Sequence, residues 1–496
     1  MALLVQTEGH EELAALAEVL RLFFGPVTQS DDRELQAAWT SDLHLISRIE
    51  PPIDPPQIRA ASRLGFSEEQ VRVSTQVLGS ASGQRSETAG LHEIRRLLRH
   101  QLYELLSRET GIRFPWGTLT GIRPTQIALE VIHEAGPQAA QKILEDYWQL
   151  APSKARLAVR TALAEEARLS QIEEGDAILY AGLPFCPSRC LYCSFITQDA
   201  GRQEASLTSY VDALIREARE FLEAGDPGPL AAVYYGGGTP TSLPAPLFRR
   251  YVQDLLCLLP LKPGTELTME AGRPDTVDRE KLEIIQTAGF HKLCINPQTM
   301  RDETLRAIGR RHTSRQTLQA FQLARKMGFS DINMDLIAGL PGETGDHLLE
   351  SVKAVMDLGP QAITLHTLSV KKGSYLDRLL GSRDVLLPDP ALMEAVEEAQ
   401  ELLNQNGYAP YYLYKQKNCR SGLENTGFAR EGSGSLYNVA MMSDQVPVIG
   451  LGSGATSKVI RQGAAKRLHN PKDLLVYMDR LDLQVQRKKA LFGFEV

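Results

Sequence analysis

The sequence predicts an α/β protein built around an open, partial (β/α)6 barrel, and three observations carry that prediction. Short apolar runs alternate with amphipathic helical patterns from about residue 175 to about residue 370. Repeated strand–helix units imply parallel strands joined by right-handed crossovers. A run of three cysteines and a run of three glycines follow the first two of these strands. That is the edge where barrels of this kind gather their reactive groups.

Residues 1–170 read as a helix-rich mixed accessory domain. A strand is expected at 2–6 and an amphipathic helix at 11–24, stopped by Gly25-Pro26. A Pro-rich stretch, Pro51-Pro52-Ile53-Asp54-Pro55-Pro56, comes next, and helical patterns return at 91–106, 125–134, 138–148 and 154–169. Among them lies the turn-rich segment Trp116-Gly-Thr-Leu-Thr-Gly-Ile-Arg-Pro124. This part carries no metal or nucleotide motif, so its role is not legible. The core, 171–370, has expected strands at 177–181, 230–235, 266–270, 292–296, 331–336 and 362–368. Helices are expected between them at 207–222, 245–258, 279–288, 313–327 and 346–357. Apolar runs this short, bounded by turn residues, fit strands buried on both faces. From 371 to 496 a C-terminal α+β module is expected, opening with Lys372-Gly-Ser-Tyr375 and Pro388-Asp-Pro390 before a helix at 392–405.

Composition narrows the functions. The chain has 496 residues, 43% hydrophobic and 23% charged, with a net charge of -7. No run of about 18 apolar residues exists to cross a membrane, and the first ten residues lack the cationic start of a signal peptide. Arg95-Arg96-Leu-Leu-Arg99-His100 reads as a solvated helix face, so no nucleic-acid partner is expected. Six cysteines in so long a chain are no disulfide framework. The expected compartment is the cytoplasm.

Cys186, Cys190 and Cys193 stand in Gly182-Leu-Pro-Phe-Cys-Pro-Ser-Arg-Cys-Leu-Tyr-Cys-Ser-Phe195. Structural zinc wants a fourth Cys or His nearby, and neither stands between Cys193 and Cys257. Iron–sulfur cubes normally take four thiolates, so a three-thiolate set predicts that a small molecule completes the cluster. Tyr234-Tyr-Gly-Gly-Gly-Thr-Pro-Thr-Ser-Leu243 lets the backbone approach a ligand closely. Glu270, Gln298 and Asp335 end three later strands, and Arg310 lies in Gly309-Arg-Arg-His312. Each polar residue alone also reads as a helix cap or a surface side chain. His366 reads as a core or substrate-facing histidine, and Lys371 and Lys372 as a solvated pair or as partners for substrate carboxylates. Cys257, Cys294 and Cys419 read as buried apolar thiols.

Together, CxxxCxYC, GGGTPTSL, the strand-end Glu, Pro-Gln, Gly-Arg-x-His and Asp-Leu-Ile-x-Gly-Leu-Pro resemble the radical S-adenosylmethionine (SAM) family. Within it they resemble oxygen-independent coproporphyrinogen III oxidases (coproporphyrinogen dehydrogenases), over about residues 175–460. Leu119-Thr-Gly-Ile-Arg-Pro124, Tyr411-Tyr-Leu-Tyr-Lys-Gln-Lys417, Glu424-Asn-Thr-Gly-Phe-Ala-Arg430 and Gly450-Leu-Gly-Ser-Gly-Ala-Thr-Ser457 look like a long-form branch. The resemblance implies that Cys186, Cys190 and Cys193 hold a [4Fe–4S] cluster. It also implies SAM contacts at Tyr180, Tyr192, Gly237, Gly238, Thr239, Glu270, Gln298, Arg310, Asp335, Leu365 (through its backbone) and Thr456, some of them to a second SAM. No protein acid or base is assigned to catalysis. The implied activity is oxidative decarboxylation of coproporphyrinogen III to protoporphyrinogen IX in haem biosynthesis. The implied partners are a tetrapyrrole substrate and an electron donor such as flavodoxin or ferredoxin, with the chain a monomer. Two departures stand out: Phe195 replaces a fourth family cysteine, and the N-terminal domain replaces an arm over the substrate. Rival readings are a haem chaperone and another tetrapyrrole-modifying radical SAM enzyme. The chaperones usually carry His-Asn and then Tyr-Trp after Phe-Ala-Arg-x-Gly, whereas this chain reads Tyr437-Asn438 and Met441-Met442.

Overall fold

A computed structural model describes residues 3–8, 13–24, 43–53, 57–65, 71–78, 87–121, 123–193, 198–199, 204–371, 374–380, 388–416 and 418–495. Phe195 and Lys372 lie outside the described residues.

The N-terminal part holds more strand than its sequence pattern suggests. β1 (Leu3–Glu8), β2 (Leu43–Ile53), β3 (Gln57–Gly65) and β4 (Val71–Leu78) form a four-stranded sheet in that order. β1 and β2 are parallel, and the rest are antiparallel. The Pro-rich stretch supplies the end of β2, where the pairing with β3 shifts register between Glu50 and Ile53. Proline donates no ladder hydrogen bond, so an irregular step in the pairing accommodates Pro51-Pro52. Helices Leu13–Phe24 and Glu87–Thr110 accompany this sheet, and helices Pro124–Ala135, Pro137–Trp148 and Pro152–Leu169 follow. Each of the last three starts on proline, whose fixed φ and missing N–H suit a first helical turn.

The barrel strands are β5 (Ala177–Leu183), β8 (Leu230–Gly237), β9 (Leu261–Glu270), β10 (Lys292–Cys294), β11 (Asp331–Ala338) and β12 (Ala362–Thr367). All neighbours in this series pair in parallel. Between β5 and β8 lie the two-residue strands β6 (Phe185–Cys186) and β7 (Gln198–Asp199). Crossover helices bury their inner faces against the sheet in one continuous apolar core, to which Val211, Leu255, Ile285, Phe321 and Val352 belong. Cys257, expected to be buried, is exposed; it caps helix Ala245–Leu256, whose apolar stripe ends at Leu255.

The C-terminal segment, expected as a module of its own, continues this sheet at both edges. β13 (Ala409–Lys415) and β14 (Glu424–Ala429) add antiparallel strands beside β12. β15 (Val448–Leu451) adds a parallel strand beside β5, followed by antiparallel β16 (Thr456–Arg461) and β17 (Ala464–His469). The physical reason is edge satisfaction. A partial barrel leaves two rows of unpaired backbone groups, and added strands pair them. Among the described residues no helix is long and apolar enough to cross a membrane.

Two buried carboxylates tie the periphery to the barrel. Glu424 accepts from Lys154 Nζ at 2.5 Å, Trp116 Nε1 at 2.5 Å and Gln400 Nε2 at 2.6 Å, with both ion-pair side chains wholly buried. Burial alone would raise the Glu424 pKa, but Lys154, Trp116 and Gln400 outweigh it and hold the carboxylate low. Glu217 likewise accepts from Lys488 Nζ at 2.6 Å, Tyr477 Oη at 2.7 Å, Asn470 Nδ2 at 2.8 Å and the Gly452 N–H at 2.7 Å. Removing one partner of such a pair strands the other charge in a dry interior. Lys154→Met is therefore expected to destabilise the protein by about 3–5 kcal/mol. Urea unfolding followed by tryptophan fluorescence checks this; a loss below about 1 kcal/mol would mean that Glu424 finds another cation.

Candidate functional site

The parallel register brings the strand ends to one rim. Leu183 pairs with Gly237 and Cys294 with Glu270, so the cysteine loop, the glycine run and the first strand-end carboxylate stand side by side. A cavity of about 350 Å³ opens there, lined by all three cysteines of the loop and by Tyr192, Gly237, Gly238, Thr239, Glu270, Gln298, Arg310 and Asp335. Its size lies within the ~300–1,000 Å³ of small-molecule sites. Ten side chains and backbone positions named from the sequence thus share one cavity with Asp335.

The cysteine loop is held from several sides. Cys186 Sγ lies 3.3 Å from Thr239 Oγ1, Ser188 Oγ donates to Gly309 O at 2.8 Å, and the Leu191 N–H donates to Ile308 O at 3.0 Å. The N–H groups of Gly238 and Thr239 donate to Leu183 O and Phe185 O at 2.6 and 2.7 Å. A Cβ at Gly238 would fall 2.3 Å from Phe185 O, so only glycine permits this approach. Burial pushes the Cys186 thiol up to about 12, although Thr239 and Arg273 oppose the shift. At Cys190 burial also works upward, but Arg310 and Arg273 prevail and lower its pKa. Among the described residues no three His, Cys, Asp or Glu side chains converge on a single metal ion.

Arg310 is not a helix-surface residue. It follows helix Asp302–Ala307, is only 8% exposed, and Nη1 donates to Asn296 O at 2.6 Å and Gly272 O at 3.0 Å. Gln298 holds a left-handed backbone, φ 71°, uncommon for a residue with a side chain. Two bonds to β11 fix it: its N–H donates to Asp335 O, and its carbonyl accepts from Ile337 N, both at 2.9 Å. Gln298 Oε1 and Asn296 Oδ1 line the cavity as buried acceptors without a protein hydrogen-bond donor. Burial and the neighbouring Asp335 push Glu270 up to about 8, while Tyr234 Oη donates to its Oε2 at 3.3 Å. Burial opposes ionisation at Asp335 as well, yet His366, Asn333 and Thr364 outweigh it and lower its pKa. His366 Nε2 lies 3.7 Å from Asp335 Oδ2, and Nδ1 lies 3.3 Å from Asn425 Oδ1.

Three residues named through the resemblance are not among those that line this cavity. Tyr180 lines an adjoining cavity of about 380 Å³ that shares Gly237, Glu270 and Asp335 with the first, and stacks with Tyr437 at 6.1 Å and Tyr234 at 6.3 Å. The side chain of Leu365 is buried in the apolar core and lines neither cavity. Thr456 starts β16 and lines neither cavity, with Oγ1 2.9 Å from His469 Nδ1. The contact expected of Leu365 is through its backbone, which the direction of its side chain does not bear on. Lys371, Asn425 and Arg273 also line the first cavity. Arg273 gave no sequence signal, because Gly272-Arg273-Pro274-Asp275 looks like a solvated turn.

Comparison with known proteins agrees with the fold and the motifs. Residues 180–355 match the model of the radical SAM superfamily. The chain is 33% identical over 455 residues to the oxygen-independent coproporphyrinogen-III oxidase-like protein HemZ of Bacillus subtilis, covering 88% of this chain and 90% of that one. It is 29% identical over 282 residues to the heme chaperone HemW of Escherichia coli, covering 57% and 70% of the two chains. The fold is shared with coproporphyrinogen III oxidase (HemN) from Escherichia coli at a TM-score of 0.51 and 23% identity, over 64% of this chain and 72% of that one.

Glu270 makes stability depend on pH. Its folded pKa of about 8 exceeds the unfolded value of about 4.3, so the folded state binds more protons in between. Its contribution is complete below about pH 4.3 and is lost as the pH rises to about 8. Glu270→Gln, neutral throughout, is expected to flatten the fall in Tm of the ligand-free protein from about pH 5 to 8. A Tm series across that range checks it; an unchanged slope would assign the effect to other groups.

Proposed function

The chain belongs to the radical SAM family of coproporphyrinogen-III oxidase-like proteins and haem chaperones, and on that premise we propose that it is an oxygen-independent coproporphyrinogen III dehydrogenase. In the proposed reaction a propionate side chain loses a β-hydrogen and carbon dioxide, one further electron passes to an acceptor, and a vinyl group remains. Two such rounds turn coproporphyrinogen III into protoporphyrinogen IX. The observation that supports oxidase over haem transport is Tyr437. It stands where the chaperone pattern has its His, and its ring is buried in the barrel, 4.6 Å from that of Tyr234. No exposed axial ligand is offered there.

The residues at the rim fit a three-thiolate cluster with SAM. Two buried guanidiniums flank Cys190, as an anionic thiolate-bound cluster requires. The orphaned acceptors of Gln298 and Asn296 suit the ammonium and hydroxyl donors of SAM. Cys186, Cys190 and Cys193 would hold the cluster, and Glu270, Gln298, Arg310 and Asp335 would hold SAM. When bound, the two supply reductive cleavage of SAM and hence the hydrogen-abstracting 5′-deoxyadenosyl radical. The chain's own work is placement and exclusion. Tyr192, Ile337 and Leu368 give the cavity an apolar wall that keeps water from the reacting bond. Asp335, ionised beside His366, accepts hydroxyl donors without taking their protons. Lys371, in the same wall, provides a cation for a substrate propionate.

Anaerobic turnover with coproporphyrinogen III deuterated at the propionate β-carbons tests this reading. Deuterium is expected in 5′-deoxyadenosine, with release of carbon dioxide and formation of protoporphyrinogen IX. Stoichiometric haem that passes to an apoprotein, with no label transferred, would favour the chaperone reading instead. Label transferred without decarboxylation would indicate a different tetrapyrrole modification.

A further inference from the structure

Arg273 sits beneath the cysteine loop, 2% exposed, in the turn that follows β9. Its Nη1 lies 3.6 Å from Cys190 Sγ. Its Nη2 donates to Ser188 O at 2.8 Å and to Ser188 Oγ, while Nε is buried without a partner. A guanidinium keeps its charge at any working pH, and enclosing one without an opposite charge is costly. Among the described residues no carboxylate comes within ion-pair distance of Arg273, whereas Lys154 and Lys488 each have one. The negative charge facing Arg273 therefore belongs to the cysteine loop itself. Arg310 also acts on Cys190, with Nη1 on the carbonyls of Gly272 and Asn296, but of the two Arg273 alone grips the loop through Ser188.

We propose that Arg273 is a positioning residue that holds the Cys190 sulfur and raises the reduction potential of the cluster carried by the three cysteines. The inference rests on the cluster reading above. Reduction brings in one electron from a low-potential one-electron donor, with no bond broken and no proton taken up. The added negative charge spreads over iron and sulfur, and a fixed cation that donates toward a ligand sulfur stabilises it. Net charge and hydrogen bonds to sulfur are established levers on such potentials. The fork on Ser188 keeps the cation in place, because it anchors the loop from the residue two before Cys190. A merely structural clamp would leave the potential where it was.

The test compares the full-length chain with Arg273→Gln and Arg273→Lys, each reconstituted anaerobically with iron and sulfide and titrated against potential by EPR. Arg273→Gln, which keeps a donor but loses the charge, is expected to shift the midpoint to more negative potential. Arg273→Lys, which keeps the charge, is expected to stay near the parent value. An iron-loaded Arg273→Gln with the parent midpoint would overturn the proposal. If Arg273→Gln takes up no iron, Arg273→Lys decides: an iron-loaded protein near the parent midpoint supports the proposal, and a midpoint displaced to more negative potential or failure to load overturns it. A parent chain that binds no iron would instead fail the cluster reading, before any variant is compared.

Discussion

The site depends on the parallel register of the six barrel strands. Because they run the same way, each strand delivers its turn to the same rim, and a slip of one residue would reverse every side chain on the slipped strand. Tyr180 pairs with Tyr234 and Leu183 with Gly237, so the cysteine loop and the glycine run leave the sheet side by side. From there the bonds of Gly238 and Thr239 to Leu183 and Phe185 fasten one run to the other. Across the cavity, Gly309 and Ile308 hold the far side of the cysteine loop through Ser188 and Leu191. The loop that carries the three sulfur atoms is thereby held by its neighbours on both sides, through backbone and side-chain bonds alike.

Glu424 explains why distant segments of the sequence belong together. It gathers Trp116 from the turn-rich N-terminal segment, Lys154 from helix Pro152–Leu169 and Gln400 from helix Pro390–Gln405. Nearby, Lys415 Nζ donates to Leu119 O at 3.0 Å, and the Leu413 N–H donates to Glu165 Oε1 at 3.0 Å. The residues after 110 thus pack on β13 and β14, the strands that extend the barrel sheet beyond β12. Two signatures of the long form, one near residue 120 and one from 411 to 430, are the two sides of one buried joint. At the opposite edge, Glu217 performs the same task for Gly450–Gly454, the end of β17 and the last helix through Gly452, Asn470 and Lys488.

Much of this was legible, for identifiable reasons. Strands buried on both faces leave apolar runs between turn residues, and the six barrel strands show such runs to within a few residues of their ends. β2 to β4 were not legible: Gln57-Ile-Arg-Ala-Ala-Ser-Arg-Leu mixes polar and apolar residues without clear alternation, and prolines interrupt the strand before it. The cysteines and glycines announced themselves by spacing, since their chemistry demands those residue types. Burial did not announce itself. Arg310 in its helical run and Arg273 in its turn look alike on paper to any solvated arginine.

The central claim is that three cysteines hold a cluster whose remaining iron is open to SAM. Electron–nuclear double resonance on the reduced, anaerobically reconstituted chain, with SAM labelled by 15N in the amino group and 17O in the carboxylate, addresses it directly. Hyperfine coupling of both labels to the cluster is the expected result, lost when Cys190 is replaced by alanine. A four-iron cluster that shows no coupling to either label would contradict the account, because the open iron would then be held by something other than SAM.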